Sequence, residues 1–206
     1  MNQIALRIHH AAMRVFAEEG GTCLAVSDVA RAAGLSRATI YNNLDNPSAL
    51  YASVCDLISD ELDHSFGLVT EGMDDPAEVI SACVRLSLRR THEEQDWGRF
   101  LARFAIVEPK VRSFWGRIPT QAIKRGVDEG RFTIPRGYSA TMAATLGGTT
   151  LGGMALVLDG LRTWRQAGEE MADITLRGLG VPPDDAARIA RIDLDPLPKL
   201  AVFGKH

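Results

Sequence analysis

The chain has 206 residues, of which 46% are apolar and 24% charged, which suffices for one compact body or a small domain fused to a larger one and excludes wholesale disorder. Its net charge of −3 excludes a protein that coats polyanions with its whole surface, while leaving room for a local basic patch. Cys23, Cys55 and Cys83 are odd in number, widely spaced and without a CxxC pair, which argues against a disulfide framework or a structural zinc site and for reduced thiols in the cytoplasm.

In chain order, Ile4, Ile8, Ala11, Ala12, Val15 and Phe16 make one helical stripe that ends at Gly20-Gly21. Two short helical segments, 27–33 and 36–43, flank Gly34. Asn46-Pro47 reads as a cap followed by a first-turn proline, opening a helix of about twenty residues. Asp75-Pro76-Ala77-Glu78 combines a cap, a first-turn proline and a capping-box acid, and opens another. Further helices are predicted near 96–107, 110–128, 137–164, 167–178 and 183–191, with Pro109, Gly130 to Pro135 and Gly180 to Pro183 between them. No alternating run bounded by hairpin turns occurs. The predicted fold is therefore all-α, with a three-helix head over 1–52 and a larger helical body over 53–206.

The N-terminus lacks the apolar core of a signal peptide. Tyr138 to Leu158 is uncharged and long enough to cross a bilayer. Its glycines and Ser/Thr residues make it weakly apolar for lipid, so it reads as a buried helix and no membrane partner is expected.

The most informative window runs from Val26 to Leu44. Ala30 stands four residues before Gly34 and Ile40 six after it, the steric pattern of a helix-turn-helix. The small alanine lets the second helix approach, and Gly34 can supply the left-handed backbone of the turn. Val29, Ala33, Leu35, Ile40 and Leu44 fill the space between the helices. Ser36 is the expected N-cap, and Arg37, Ala38, Thr39, Tyr41, Asn42 and Asn43 are left outside, small, hydrogen-bonding or basic as a major-groove helix requires. With Ser27 in the helix before the turn, these residues form the expected DNA-contacting set.

Gly34-Leu-Ser-Arg-Ala-Thr-Ile-Tyr-Asn-Asn-Leu44 and Asn46-Pro-Ser-Ala-Leu-Tyr51 resemble the signature of the tetracycline-repressor-like (TetR-like) regulators. The resemblance is specific over roughly the first 55 residues and architectural beyond them. It implies a homodimer whose heads occupy successive major grooves of a double-stranded operator, and a C-terminal pocket whose small-molecule effector weakens DNA binding. By position it implies phosphate contact for Tyr41, phosphate or base contact for Thr39, a basic residue beside the groove at Arg37, and close approach to DNA at Ala38. Asn42 is suited to adenine if it faces the groove. Asn43 replaces a frequent aromatic or histidine, and the lysine common at the start of the fourth helix is missing. Within 1–52, Arg7, Arg14, Arg31 and Arg37 are balanced by Glu18, Glu19, Asp28 and Asp45. Few phosphate contacts are therefore expected, with a slope of log K against log[salt] shallower than about −6 per dimer.

In the body, Trp97, Phe100, Phe104, Phe114 and Trp115 cluster in sequence. They read either as ordinary core or as the wall of an apolar cavity. The candidate ligand set is Trp97, Phe100, Phe104 and Trp115, with Met142 and Thr145 on the opposite wall. Arg99 and Arg103 lie about 100° around the helix from the phenylalanines and are expected to be solvated. The small residues of 137–164 suit close helix–helix contact in a dimer bundle shared with 167–178, with Leu151, Leu158, Leu161 and Ile174 in its seam.

Rival motifs fail. Gly147-x4-Gly152 is followed by Gly153-Met154 where a P-loop needs Lys-Ser/Thr. His92-Glu93-Glu94-Gln95-Asp96 lacks the second histidine of HExxH. No convergent acid–base pair is apparent, so no enzyme, cofactor or metal is expected. The sequence points to a transcriptional regulator, a repressor released from its operator by a small, mostly apolar effector. The alternative is a helical ligand sensor that acts through protein partners without specific DNA binding.

Overall fold

The computed structural model describes residues 3–44, 46–109, 111 and 117–198. Among them are ten α-helices and no strand. The N-terminal part holds α1 (Gln3–Glu19), α2 (Val26–Ala33) and α3 (Arg37–Asn43), and a 3-10 turn at Pro47–Ala49 leads into α4 (Leu50–Thr70). The rest is built from α5 (Pro76–Glu93), α6 (Gln95–Phe104), α7 (Arg117–Asp128), α8 (Ser139–Leu158), α9 (Trp164–Gly178) and α10 (Pro183–Ile189). The sequence-derived division after residue 52 falls inside α4, so one continuous helix joins head to body.

The helix starts follow the expected chemistry with two adjustments. Asp75 caps α5 by accepting from the Ala77 N–H at 2.8 Å. Asn46 Oδ1 accepts from the Ser48 N–H at 3.1 Å and its hydroxyl at 2.6 Å, which tightens the next three residues into a 3-10 turn before α4. The predicted single helix over 137–164 ends at Leu158, and Gly160 takes φ 70°. Thr163 and Gln166 then form a reciprocal capping box that starts α9 three residues earlier than expected, at Trp164.

Helix α5 is the axis of the body. Most of its residues are buried, because α6, α7, α8, α9 and α10 all pack against it. Its buried hydroxyls are satisfied locally: Ser87 donates to Cys83 O at 2.7 Å and Thr91 to Ser87 O at 2.9 Å. A Cβ on Gly98 of α6 would lie 2.6 Å from Thr91 Cγ2 and 3.2 Å from its Cα, so glycine there permits the close α5–α6 crossing. Arg131 binds both Asp75 and Asp185 and ties the start of α5 to α10.

Helix α8 with its preceding turn, Arg136–Leu158, is long and apolar enough to cross a membrane by length and composition. Its exposed face consists of Ala140, Thr141, Ala144, Thr145, Gly148, Gly152 and Ala155. A Cβ at Gly148 or Gly152 would meet nothing within 4 Å. This is a flat, small-residue face open to close approach.

Candidate nucleic-acid interface and effector region

The turn between α2 and α3 is built as the steric pattern requires. Gly34 adopts φ 63° and ψ 36°, and the Leu35 N–H returns to Ala30 O at 2.9 Å. Val29, Ala30, Ala33 and Ile40 are buried between the helices, with Leu35 and Leu44 partly buried against them. Ser36 accepts from the Thr39 N–H at 3.1 Å and caps α3, while its hydroxyl pairs with that of Thr39 at 2.8 Å.

Two braces that sequence reasoning missed hold the turn from behind. Arg7 Nη2 donates to Ala33 O at 2.8 Å, and Arg14 Nη2 donates to Ala32 O at 2.8 Å. Both arginines lie on α1 seven residues apart, thus on one face, and they satisfy the last carbonyls of α2. The spacing was visible in the sequence, but its target, 18 to 26 residues away, was not.

Ile40 points inward, and Arg37, Ala38, Tyr41 and Asn42 stand exposed on the outer face of α3, Tyr41 at 59%. Thr39 is half-buried at the cap. Asn43 turns back on its own helix, its side-chain N–H donating to Thr39 O at 2.9 Å. Ser27 is half-buried in the first turn of α2. Arg31 is paired with Asp28. Arg37 is the one arginine of the head that has no partner among the described residues.

The head is held to the body by an aromatic joint. Tyr51 of α4 packs edge-on against Phe16 of α1 (centroids 5.1 Å apart) and Phe104 of α6 (5.4 Å), and Phe100 lies 4.9 Å from Phe104. A polar clamp lies alongside. Arg103 Nη1 donates to Ala17 O at 2.6 Å and Glu18 O at 3.2 Å. Arg103 is exposed, as expected, yet its guanidinium is engaged: α1 has no basic residue in its last turn, and α6 supplies the cation its carbonyl end favours. Gly20 takes φ 76° and leaves the guanidinium its room. Arg99 is exposed, as expected, and binds Gln95 and Asp96.

His9 crosses the same joint. Its Nδ1 lies 2.7 Å from Ala5 O and its Nε2 2.8 Å from the Ser53 hydroxyl. A carbonyl only accepts, so Nδ1 carries the proton and Nε2 accepts from Ser53. Burial holds the imidazole below the ordinary histidine value, partly opposed by the bond to Ala5. Between the unfolded value of about 6.5 and this lower folded value, the unfolded chain binds the proton more readily. Stability should therefore fall as pH drops through that window. Denaturant midpoints measured from pH 7.5 to 5.5 for wild type and His9→Leu check this: the variant should lose less stability, and equal losses would contradict it.

Of the expected ligand set, Trp97, Phe100 and Phe104 are buried at 1%, 0% and 3% exposure, the phenylalanines within the head–body joint. Met142 is half-buried. Thr145 is exposed on the small-residue face of α8, its hydroxyl donating to Thr141 O at 2.9 Å. Trp115 lies outside the described residues. An open groove of about 270 Å³ runs between α4 and α7, lined by Thr70, Met73, Val79, Ile118, Gln121 and Ala122 among others. In the expected dimer seam, Leu151 and Leu158 are half-buried, and Leu161 and Ile174 are exposed at 61% and 58%. Among the described residues no group of three or more His, Cys, Asp or Glu is placed to hold a metal ion.

Two family models match the chain: "Bacterial regulatory proteins, tetR family" over residues 8–52, and "Tetracyclin repressor-like, C-terminal domain" over 75–192. No curated protein matches it in sequence. Among solved structures, RolR in complex with resorcinol is 22% identical with a TM-score of 0.70, the match covering 95% of this chain and 97% of RolR. The fatty acid degradation regulator FadR from Bacillus halodurans is 16% identical with a TM-score of 0.67, covering 88% of this chain and 99% of its own. TylP, a TetR regulator from Streptomyces fradiae, is 17% identical with a TM-score of 0.65, covering 90% of each chain. With one family model spanning the braced helix-turn-helix and the other most of the body, the chain belongs to the TetR family of ligand-responsive, DNA-binding transcriptional regulators.

Proposed function

We propose that this regulator works in the cytoplasm as a homodimeric repressor, bound to a palindromic operator and released by a small, mostly apolar effector. The observation that carries the reading is α3: a recognition helix with Arg37, Ala38, Tyr41 and Asn42 exposed together on a turn braced by Arg7 and Arg14. Ser27, Ser36, Thr39 and Asn43 complete the DNA-facing region. Residues 1–52 serve as the reading head and 53–206 as the sensing and pairing body.

The small-residue face of α8, with exposed Leu161 and Ile174 nearby, supports a dimer in which α8 and α9 of two subunits form one bundle. Leu151 and Leu158 line its margin. Pairing is needed because one half-site supplies too few contacts for specific binding. An effector in the body must bind the DNA-incompetent arrangement better, since equal affinity for both arrangements would shift nothing. Helices α4 and α6 would carry that shift to the head through the aromatic joint and the Arg103 clamp. RolR's resorcinol and FadR's fatty-acid pathway are both consistent with an effector built largely of carbon, with Trp97, Phe100, Phe104, Trp115, Met142 and Thr145 as first candidates for its surroundings.

Selection from a random duplex library, followed by footprinting, tests the reading. The expected footprint has two dyad-related half-sites centred about one helical turn apart, or a multiple of it. Protection of a single site without a dyad would contradict it.

A further inference from the structure

A groove of about 530 Å³ lies behind the helix-turn-helix, between α1, the end of α2 and the start of α6, a size that suits a small molecule. No residue of the recognition helix α3 lines it, whereas Asp96 of α6 does. From α1 it is lined by Ile4, Arg7, Ala11 and Arg14, whose spacing of three and four residues puts them on one helix face. The end of α2 contributes Ala32 and Ala33.

The groove is cationic. Arg7 and Arg14 are both half-buried, and each spends one nitrogen, Nη2, on the end of α2. Their acceptors, Ala33 O and Ala32 O, are neighbours in sequence, so the two guanidiniums converge. Neither has a carboxylate partner among the described residues. Against their two positive charges the carbonyl end of α2 sets only about half a negative one. Asp96, the one acid among the described lining residues, is paired with Arg99 at 3.4 Å. Ala11 stands four residues after Arg7 and three before Arg14, and its short side chain leaves room between them on the groove floor. Two converging, partly desolvated cations repel each other until an anion joins them.

We propose that this groove binds a small carboxylate with a compact apolar body, its carboxylate held between Arg7 and Arg14 and its body laid against Ile4, Ala11, Met13 and Ala32. The site is separate from the effector region of the body and does not depend on how that region works. Guanidinium forks match the two oxygens of a carboxylate, and the N–H groups of both arginines beyond Nη2 supply them. A cation would be repelled by the pair. A bare inorganic anion would satisfy the charge but leave the apolar lining in water. A phosphate of the DNA backbone carries the same charge, but a groove with α6 in its wall and α3 outside it suits a free molecule. The occupant touches both braces of the turn and the start of α6, so it bears directly on the head.

Calorimetric titration of the full-length protein at low salt with benzoate, with benzamide, its uncharged counterpart, and with inorganic phosphate tests this. Wild type should bind benzoate about tenfold or more tighter than benzamide, and tighter than phosphate. Gln3→Glu places a carboxylate at the groove four residues before Arg7, in a first turn that favours it. It should cut the benzoate preference to about threefold or less without lowering the denaturant midpoint. Arg14→Lys keeps the charge but loses the fork, and should also weaken benzoate. Arg37→Ala, on the outer face of α3, should leave benzoate binding unchanged. A wild type that binds benzoate no more tightly than benzamide overturns the proposal. So does a preference undiminished in both Gln3→Glu and Arg14→Lys, or one lost in Arg37→Ala. Operator titrations over a salt series distinguish the two sources of the anion. A free carboxylate predicts the same salt slope for Gln3→Glu as for wild type. A slope flattened by about 1.8 per dimer would assign the groove to the DNA backbone and overturn the proposal.

Discussion

Arg37→Ala should weaken operator binding by the dimer about a hundredfold or more. Arg37 is exposed in the first turn of the recognition helix and is unpaired among the described residues. The other arginines of the head are already engaged: Arg7 and Arg14 on the carbonyl end of α2, Arg31 on Asp28. The head therefore concentrates its available positive charge at one point. A charge-assisted hydrogen bond to phosphate contributes about 1.5 kcal/mol or more per head, and two heads give about 3 kcal/mol, or about a hundredfold. Losing one neutralised phosphate per head should also flatten the salt dependence by about 1.8 per dimer. Arg31→Ala, which breaks a surface pair, should change affinity much less. Anisotropy titrations of both variants over a salt series check this, and an Arg31 effect equal to that of Arg37 would contradict the assignment.

The second large effect is expected at a residue that touches no DNA. Arg103→Ala removes the guanidinium from Ala17 O and Glu18 O and leaves the end of α1 without a cation. Stability should fall by about 1–2 kcal/mol, read as a lower denaturant midpoint. The loosened α1–α6 contact should also reduce the effect of any effector on operator affinity, since one of its two routes to the head is cut. Arg103→Lys should recover part of the stability, because an ammonium reaches the carbonyls without the two-pronged geometry. A change in stability below about 0.3 kcal/mol would show that α6 does not clamp the head.

These two residues also mark where the sequence was legible and where it was not. The recognition helix could be read because local steric demands fix it. A tight turn needs Gly34, close helix approach needs Ala30, and an inward Ile40 forces Arg37, Tyr41 and Asn42 outward. The starts of α5 and the end of α1 were legible for the same reason, since caps and breakers act within a few residues. Arg103 was not, because its acceptors lie 85 and 86 residues earlier and no local pattern encodes such a pairing. The same holds for Glu61 and Arg90, 29 residues apart. Phe100 and Phe104 were legible as inward-facing, but not their role in the joint, which depends on Tyr51 and Phe16 arriving from other helices. The break between α8 and α9 was obscured because Leu158, Leu161 and Trp164 keep a helical apolar spacing across Asp159, although Gly160 and the Thr163–Gln166 box carried the signal.

The head's near-neutral charge makes the choice between a working reader and a sensor acting through protein partners a quantitative one. Fluorescence anisotropy of the purified protein against short duplexes from around its own gene, over a salt series, addresses it most directly. Saturable binding to one duplex, much tighter than to scrambled DNA, with two chains per site and a slope shallower than about −6, is the expected result. Weak, sequence-blind binding that salt erases, both on those duplexes and on the best products of a random-library selection, would contradict the account.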